Sequence, residues 1–181
     1  MWMMSCKRGY VIWFTGIPGS GKTTLARRLK TFLDAMGLCV EHLDGDEVRP
    51  WLSPEAGFSR EDRLRHLRRV AYVAHLLSRN GVYVIASFVS PYREAREVAR
   101  NLIGDYFIEV YVKCPLEVAI QRDPKGLYRK ALDGEIKNMT GLQDVYEEPV
   151  NPEVIVETDR ESVEESLGKI ISYLRGRGVV A

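Results

Sequence analysis

Cys6, Cys39 and Cys114 are the only cysteines in 181 residues, too few and too scattered for a disulfide framework, and without a C-x-x-C pair they give no support to a structural zinc. Such sparse cysteine fits a reducing compartment. Strong charge of either sign is also missing. Twenty-six lysines and arginines against 25 acids leave a formal net charge of +1, so nothing here favours nucleic acid as a partner, and any cationic site must be a local cluster. No apolar run approaches the length of a membrane span, and Met1-Trp2-Met3-Met4 is too short for the core of a signal peptide. These absences lead us to expect a soluble, cytoplasmic protein with no membrane partner. With 45% hydrophobic residues, a chain of 181 fits one domain with a substantial core, and two full domains would be a squeeze. Internal repeats, low-complexity tracts and an obvious linker are absent as well.

What is present is a βα rhythm. Short β-rich runs occur at 10–15, 38–43, 81–87, 106–112 and 153–157, with helical stretches between them. The expected fold is therefore α/β, a mostly parallel five-stranded sheet flanked by helices in one domain over 1–181. The clearest helix follows Ser59, with Leu64, Leu67, Ala71 and Ala74 on one face and a Ser59 to Asp62 capping pattern. A second such pattern, Thr158 to Glu161, predicts the start of a C-terminal helix carrying Val163, Leu167, Ile170 and Leu174. Residues from about 122 to 152 differ. They are polar, basic early, rich in Gly and Pro late and weakly periodic, as expected of a mobile lid.

Directly after the first run stands Gly16-Ile17-Pro18-Gly19-Ser20-Gly21-Lys22-Thr23-Thr24, a complete phosphate-binding loop in its required order of strand, glycine-rich turn and helix. Glycines let backbone N–H groups converge on phosphate oxygens, and the helix opening near Lys22 turns its partly positive end to the same place. Lys22 is placed to reach the β- and γ-phosphates, and the Thr23 hydroxyl to ligate Mg²⁺. At the end of the second run, Asp44-Gly45-Asp46 puts two carboxylates where an open α/β sheet has its ligand crevice. One would serve Mg²⁺ and the other would accept the proton of an attacking alcohol; the sequence does not choose between Asp44 and Asp46, and the stretch also reads as a strand-ending turn. A guanine-reading N-K-x-D segment is absent, which argues against a GTPase switch. A kinase acting on some hydroxyl acceptor and an ATP-binding regulatory module remain.

In order along the chain, the phosphate loop is followed by Leu43-Asp44-Gly45-Asp46-Glu47-Val48-Arg49, Gly57-Phe58-Ser59-Arg60-Glu61-Asp62-Arg63, Ser90-Pro91-Tyr92-Arg93 and Arg122-Asp123-Pro124-Lys125-Gly126-Leu127-Tyr128. With Gly134-Glu135-Ile136-Lys137-Asn138-Met139-Thr140-Gly141, Tyr146-Glu147 and Asn151-Pro152-Glu153, this set resembles the adenylylsulfate kinases from Gly9 to about Glu157. The resemblance implies a P-loop kinase fold with a lid, transfer of the ATP γ-phosphate to the 3′-hydroxyl of adenosine 5′-phosphosulfate, and Mg²⁺ as cofactor. It implies catalytic roles for Lys22, Asp44, Asp46 and Ser90, metal binding by Thr23 and Asp44, and ATP binding by residues 16–24 with Arg122. Acceptor binding would fall to Asp46, Arg49, Phe58, Arg63, His66, Val89, Ser90, Lys125 and Met139.

Phe58 corresponds to an aromatic that stacks on the acceptor's adenine, although alone it also reads as a core residue. Ser90 corresponds to a serine linked in the family to a phosphoenzyme, but no base lies near it in sequence, so hydrogen bonding to substrate is the expected role. The chain departs from the family pattern where His66 replaces an Asn, Met139 an aromatic, and Gln143 and Val145 an Asp and a Pro. His66 should keep one hydrogen bond while its charge becomes pH-dependent near neutrality, and Met139 should make a softer contact than a ring. Oligomeric state stays open, with a homodimer as the form common in the family.

Overall fold

Strands that are apolar on both faces must be covered on both, and the chain achieves this with a parallel sheet between helices. The computed structural model describes residues 7–181; Cys6 and Met1-Trp2-Met3-Met4, discussed above, lie outside the described residues. Strands β1 (Val11–Thr15), β2 (Val40–Asp44), β3 (Tyr83–Ser87), β4 (Phe107–Lys113) and β5 (Val154–Glu157) form one sheet in the order β2-β3-β1-β4-β5. Every neighbouring pair is parallel. Each strand falls on an expected run, though β2 is shifted toward its C-terminal end and takes in Asp44.

Two-residue alternation explains why β1 is apolar throughout. Ile12 and Phe14 face the helices α1 (Lys22–Ala35) and α7 (Val163–Gly176), while Val11 and Trp13 face α3 (Arg60–Arg79) and α4 (Arg93–Ile103). Of the positions expected to face inward on α3, Leu67, Ala71 and Ala74 are buried and Leu64 is partly so. Among the described residues, no helix is long and apolar enough to cross a membrane.

Two helix starts differ from expectation. At α3 the Ser59 hydroxyl accepts from the Asp62 N–H at 3.1 Å, but Asp62 reaches back to the Gly57 N–H instead of that of Ser59, so only half of the capping box forms. At α7 the cap is Ser162, not Thr158. Ser162 accepts from the Glu165 N–H at 3.2 Å, and the Glu165 carboxylate accepts from the Ser162 N–H at 2.7 Å. Both segments match the same pattern, but the apolar stripe begins at Val163, next to Ser162. Thr158 is drawn off to the phosphate loop, donating to the Ser20 carbonyl at 2.8 Å.

The 122–152 stretch holds more order than its polarity announces. After α5 (Leu116–Arg122) comes a short helix, α6 (Leu127–Leu132), and a third apolar cluster joins Ile17 and Ala119 to Tyr128, Ala131 and Met139. Helices of six or seven residues complete too few turns to show a period in the sequence. This cluster seats the stretch against the phosphate loop, beside the carboxyl ends of β1, β2 and β3 at Thr15, Asp44 and Ser87.

Candidate active site

Residues 16–21 join β1 to α1 as a tight turn. A side chain on Gly16 would put its Cβ 2.5 Å from the Val112 carbonyl oxygen, and Gly21, the N-cap of α1, has φ +100°, a left-handed conformation that suits glycine. Lys22 folds back over the turn. Its Nζ donates to the Gly16 and Ile17 carbonyl oxygens, both at 2.8 Å, and approaches the Ser20 hydroxyl at 3.4 Å. Burial drives the Lys22 pKa down to about 7, with Lys125 adding to the effect and Asp44 and Asp46 opposing it. Pro18 is fixed from the far side by the Tyr128 hydroxyl, which donates to its carbonyl at 2.8 Å.

A cavity of about 650 Å³ opens over this loop, with Pro18, Gly19, Thr23 and Thr24 on its wall. Asp44 closes its floor. The carboxylate accepts from the Thr23 hydroxyl at 2.9 Å, the Ser87 hydroxyl at 3.0 Å and the Asp46 N–H at 3.1 Å. Burial pushes the Asp44 carboxyl up, but these hydrogen bonds together outweigh it and hold the group below its ordinary range. It is therefore ionised near neutral pH. Two hard oxygen ligands, Thr23 Oγ1 and an Asp44 carboxylate, side by side at the phosphate loop fit Mg²⁺.

Asp46 lies in the first turn of α2 (Gly45–Leu52) and leaves its side chain 70% exposed, paired across the cavity with Lys125. One turn later Arg49 lays its guanidinium 4.7 Å from the centre of the Phe58 ring and donates to the Gly57 carbonyl. Phe58 is 60% exposed, so the reading of it as a core residue does not hold. The Arg63 donors, by contrast, are occupied. They reach the Phe58 carbonyl at 3.0 Å, the Asn138 carbonyl at 2.5 Å, Thr140 Oγ1, and Asp144 at 3.3 Å. In this arrangement Arg63 joins the Phe58 turn to the 138–144 arm. Met139 lines the cavity from that arm while its side chain is buried in the third cluster.

His66 is buried, with Nδ1 2.9 Å from Ser53 Oγ. Burial, with Arg49 and Arg69 adding to it, lowers its pKa to about 4, so the expected charge change near neutrality is corrected: this histidine is neutral there. Val89 and Ser90 line the cavity beyond the end of β3. Ser90 holds a left-handed φ of +39°, accepts from Trp13 Nε1 at 3.1 Å and donates to the Phe88 carbonyl at 3.3 Å. None of these partners is a base. On the phosphate side, Arg122 donates to Thr158 Oγ1 at 3.1 Å and to the Thr158 carbonyl at 2.5 Å.

The fold brings the expected residues to one cavity, apart from Gly16, Ile17 and Ser20, which shape the loop beneath it. Three further residues escaped the sequence reading. Ser87 and His42 stand behind Asp44, with His42 Nε2 2.8 Å from Ser87 Oγ, and Thr158 joins the loop to Arg122. Ser87 ends β3 and His42 shares a face of β2 with Asp44, two positional signals that were legible.

A family model described as adenylylsulphate kinase matches residues 8–157. A probable adenylyl-sulfate kinase of Archaeoglobus fulgidus is 59% identical over 151 residues, covering 83% of this chain and 97% of that one. One of Aeropyrum pernix is 51% identical over 172 residues, covering 93% and 94%. Among solved structures, an APS kinase of Mycobacterium tuberculosis in complex with AMPPNP and APS superposes with a TM-score of 0.88 at 40% identity, covering 93% of this chain and 98% of that one. Since the family model spans most of the chain and these relatives match nearly end to end, this protein belongs to the adenylylsulphate kinase family.

Proposed function

We propose that the protein transfers the γ-phosphate of ATP to the 3′-hydroxyl of adenosine 5′-phosphosulfate, giving 3′-phosphoadenylyl sulfate and ADP. One observation carries this reading: a single cavity has a phosphate loop at one end and an exposed phenylalanine backed by an arginine at the other, with Asp46 one turn before that arginine. A small polyol acceptor would have no ring to lie on Phe58. Turnover of ATP with adenylyl sulfate, shikimate or gluconate, followed as ADP, tests the assignment. ADP formation should depend on adenylyl sulfate alone, and dependence on either other acceptor would contradict it.

Glycine-loop N–H groups and the start of α1 hold the β- and γ-phosphates. Lys22 leaves the Gly16 and Ile17 carbonyls for the phosphate oxygens. Thr23 and Asp44 would hold Mg²⁺, which would offset the charge of the phosphates. Asp46, exposed to the cavity and not tied up as Asp44 is, accepts the proton of the attacking 3′-hydroxyl as the new P–O bond forms and the bond to ADP breaks in line. Phe58 stacks on the acceptor's adenine with Arg49 behind it. Ser90 hydrogen-bonds substrate and does not become a nucleophile, since among the described residues no base reaches its hydroxyl. The 122–152 stretch serves as a lid, bringing Arg122, Lys125 and Lys137 to the phosphates and excluding water.

Two results should follow. Phe58→Ala should raise the acceptor KM by about 5- to 150-fold, the range given by one base–aromatic stack, and leave the ATP KM within about two-fold. Equal changes in both would remove Phe58 from the acceptor side. Lys22 gives the second. Its pKa of about 7 in the free protein should rise when phosphates restore its charge, so at pH 8 ATP binding should take up to about one proton. ATP affinity should then fall as pH climbs above about 7. Calorimetry in buffers of different ionisation enthalpy measures the uptake, and zero uptake at pH 8 would contradict it.

A further inference from the structure

Behind the cavity, the Val89–Ser90 turn and the returning end of the 122–152 stretch meet in a buried polar cluster. At its centre is Arg96 of α4, 3% exposed. Its Nη1 donates to the Ser90 carbonyl oxygen at 2.5 Å and its Nη2 to the Glu147 carbonyl oxygen at 2.5 Å, while Nε faces Glu109 Oε1 of β4 at 2.9 Å. One planar fork thus reaches the acceptor-side turn, the covering stretch and the central sheet. Thr15 joins the same two parts, donating to the Val89 carbonyl at 2.8 Å and standing 2.8 Å from the Tyr146 hydroxyl. The Glu147 N–H donates to the Pro91 carbonyl at 2.8 Å, and the Glu147 carboxylate accepts from the Arg93 N–H at 2.8 Å. Glu109 also pairs with Arg100, which pairs with Glu153 just before β5, so the arginine's charge is balanced within the cluster.

A buried ion pair taken alone is weak evidence of stabilisation. Fixed placement is a better account of this one, because two of the three partners are backbone carbonyls 57 positions apart in sequence (147 minus 90) and the third is a carboxylate on β4. The left-handed Ser90 gives such placement a purpose, since a strained residue persists only where its surroundings over-determine it. We propose that Arg96 is a positioning residue that ties the Ser90 turn to the 146–148 arm, so that the acceptor side of the cavity and the stretch covering it keep a common registration. The inference rests on the reading above that Ser90 borders the acceptor and that 122–152 covers the site.

Arg96→Lys keeps a charge opposite Glu109, but a single ammonium lacks the fork that spans both carbonyls. In this variant, amide exchange at Glu147 and in residues 88–93 should accelerate together by about 10-fold or more, with α1 and β4 unchanged. The acceptor KM should rise by about 10-fold and the ATP KM stay within about two-fold. Arg96→Met combined with Glu109→Gln removes both charges and guards against a variant that fails through one unpaired ion; it should show the same paired acceleration. Unchanged exchange at either segment, acceleration spread over the whole sheet, or equal shifts in both KM values would overturn the proposal. The exchange measurement needs no substrate, so paired acceleration supports the link even if another acceptor proves to be the true one.

Discussion

Lys22→Met is expected to lower kcat/KM for ATP by about 10³-fold, equivalent to about 4 kcal/mol of transition-state stabilisation. Methionine matches the buried stem of the lysine, so the loss should be electrostatic and leave the fold intact. The charge matters because the site keeps it under tension. In the free protein Nζ donates to two backbone carbonyls and nears a serine hydroxyl, and burial lowers its pKa to about 7 although Asp44 and Asp46 oppose the shift. An incoming triphosphate adds negative charge to that of Asp44 and Asp46, and the ammonium then faces the charge that develops on the transferring group. Steady-state kinetics with a thermal melt as control checks this. A loss below about 10-fold in a folded variant would mean that another cation carries the role.

Asp46→Asn should lower kcat by about 10² to 10⁴-fold with little change in ATP affinity, as expected when a positioned base is lost. Asp44→Asn should behave differently. The Asp44 carboxylate already accepts from Thr23, Ser87 and the Asp46 N–H, which hold it ionised and leave it poorly basic. Its loss should weaken Mg²⁺-dependent ATP binding together with turnover. Among the described residues Asp46 pairs with Lys125, and it faces the cavity. Measuring ATP affinity and kcat on both variants separates the two roles. Normal turnover in Asp46→Asn, or a selective loss of kcat in Asp44→Asn, would reverse the assignment.

Where a signal was local, the sequence carried it. Five β-rich runs became five strands, and the central β1 is apolar from Val11 to Phe14 because both of its faces are covered, whereas the edge strand β2 carries Glu41, His42 and Asp44. The phosphate loop was equally plain from its motif and preceding strand, with Gly21 answering to a local left-handed turn, although the tight approach of Val112 to Gly16 comes from β4. Signals that depend on distant neighbours were not legible. Ser162 and Thr158 offer the same capping pattern; the apolar stripe from Val163 favours Ser162, and the hydrogen bond that draws Thr158 to the phosphate loop cannot be seen along the chain. Arg63 lines the cavity as expected, but its contacts with the 138–144 arm, 77 residues from it at Thr140, cannot be seen along the chain. His66 looked titratable near neutrality because burial and the nearby Arg49 and Arg69 cannot be seen along the chain. Arg96, Glu109, Arg100 and Glu153 come from α4, β4 and the approach to β5, and no short motif announces them.

If one cavity holds a triphosphate donor and a nucleotide acceptor, phosphate moves directly between them. Phosphorus NMR of the products from ATP, Mg²⁺ and adenylyl sulfate tests this most directly. One new phosphomonoester should appear on the ribose 3′ position of adenylyl sulfate for each ADP formed; free phosphate in its place, or no ADP beyond that seen without acceptor, would show that the cavity does not transfer phosphate to this nucleotide.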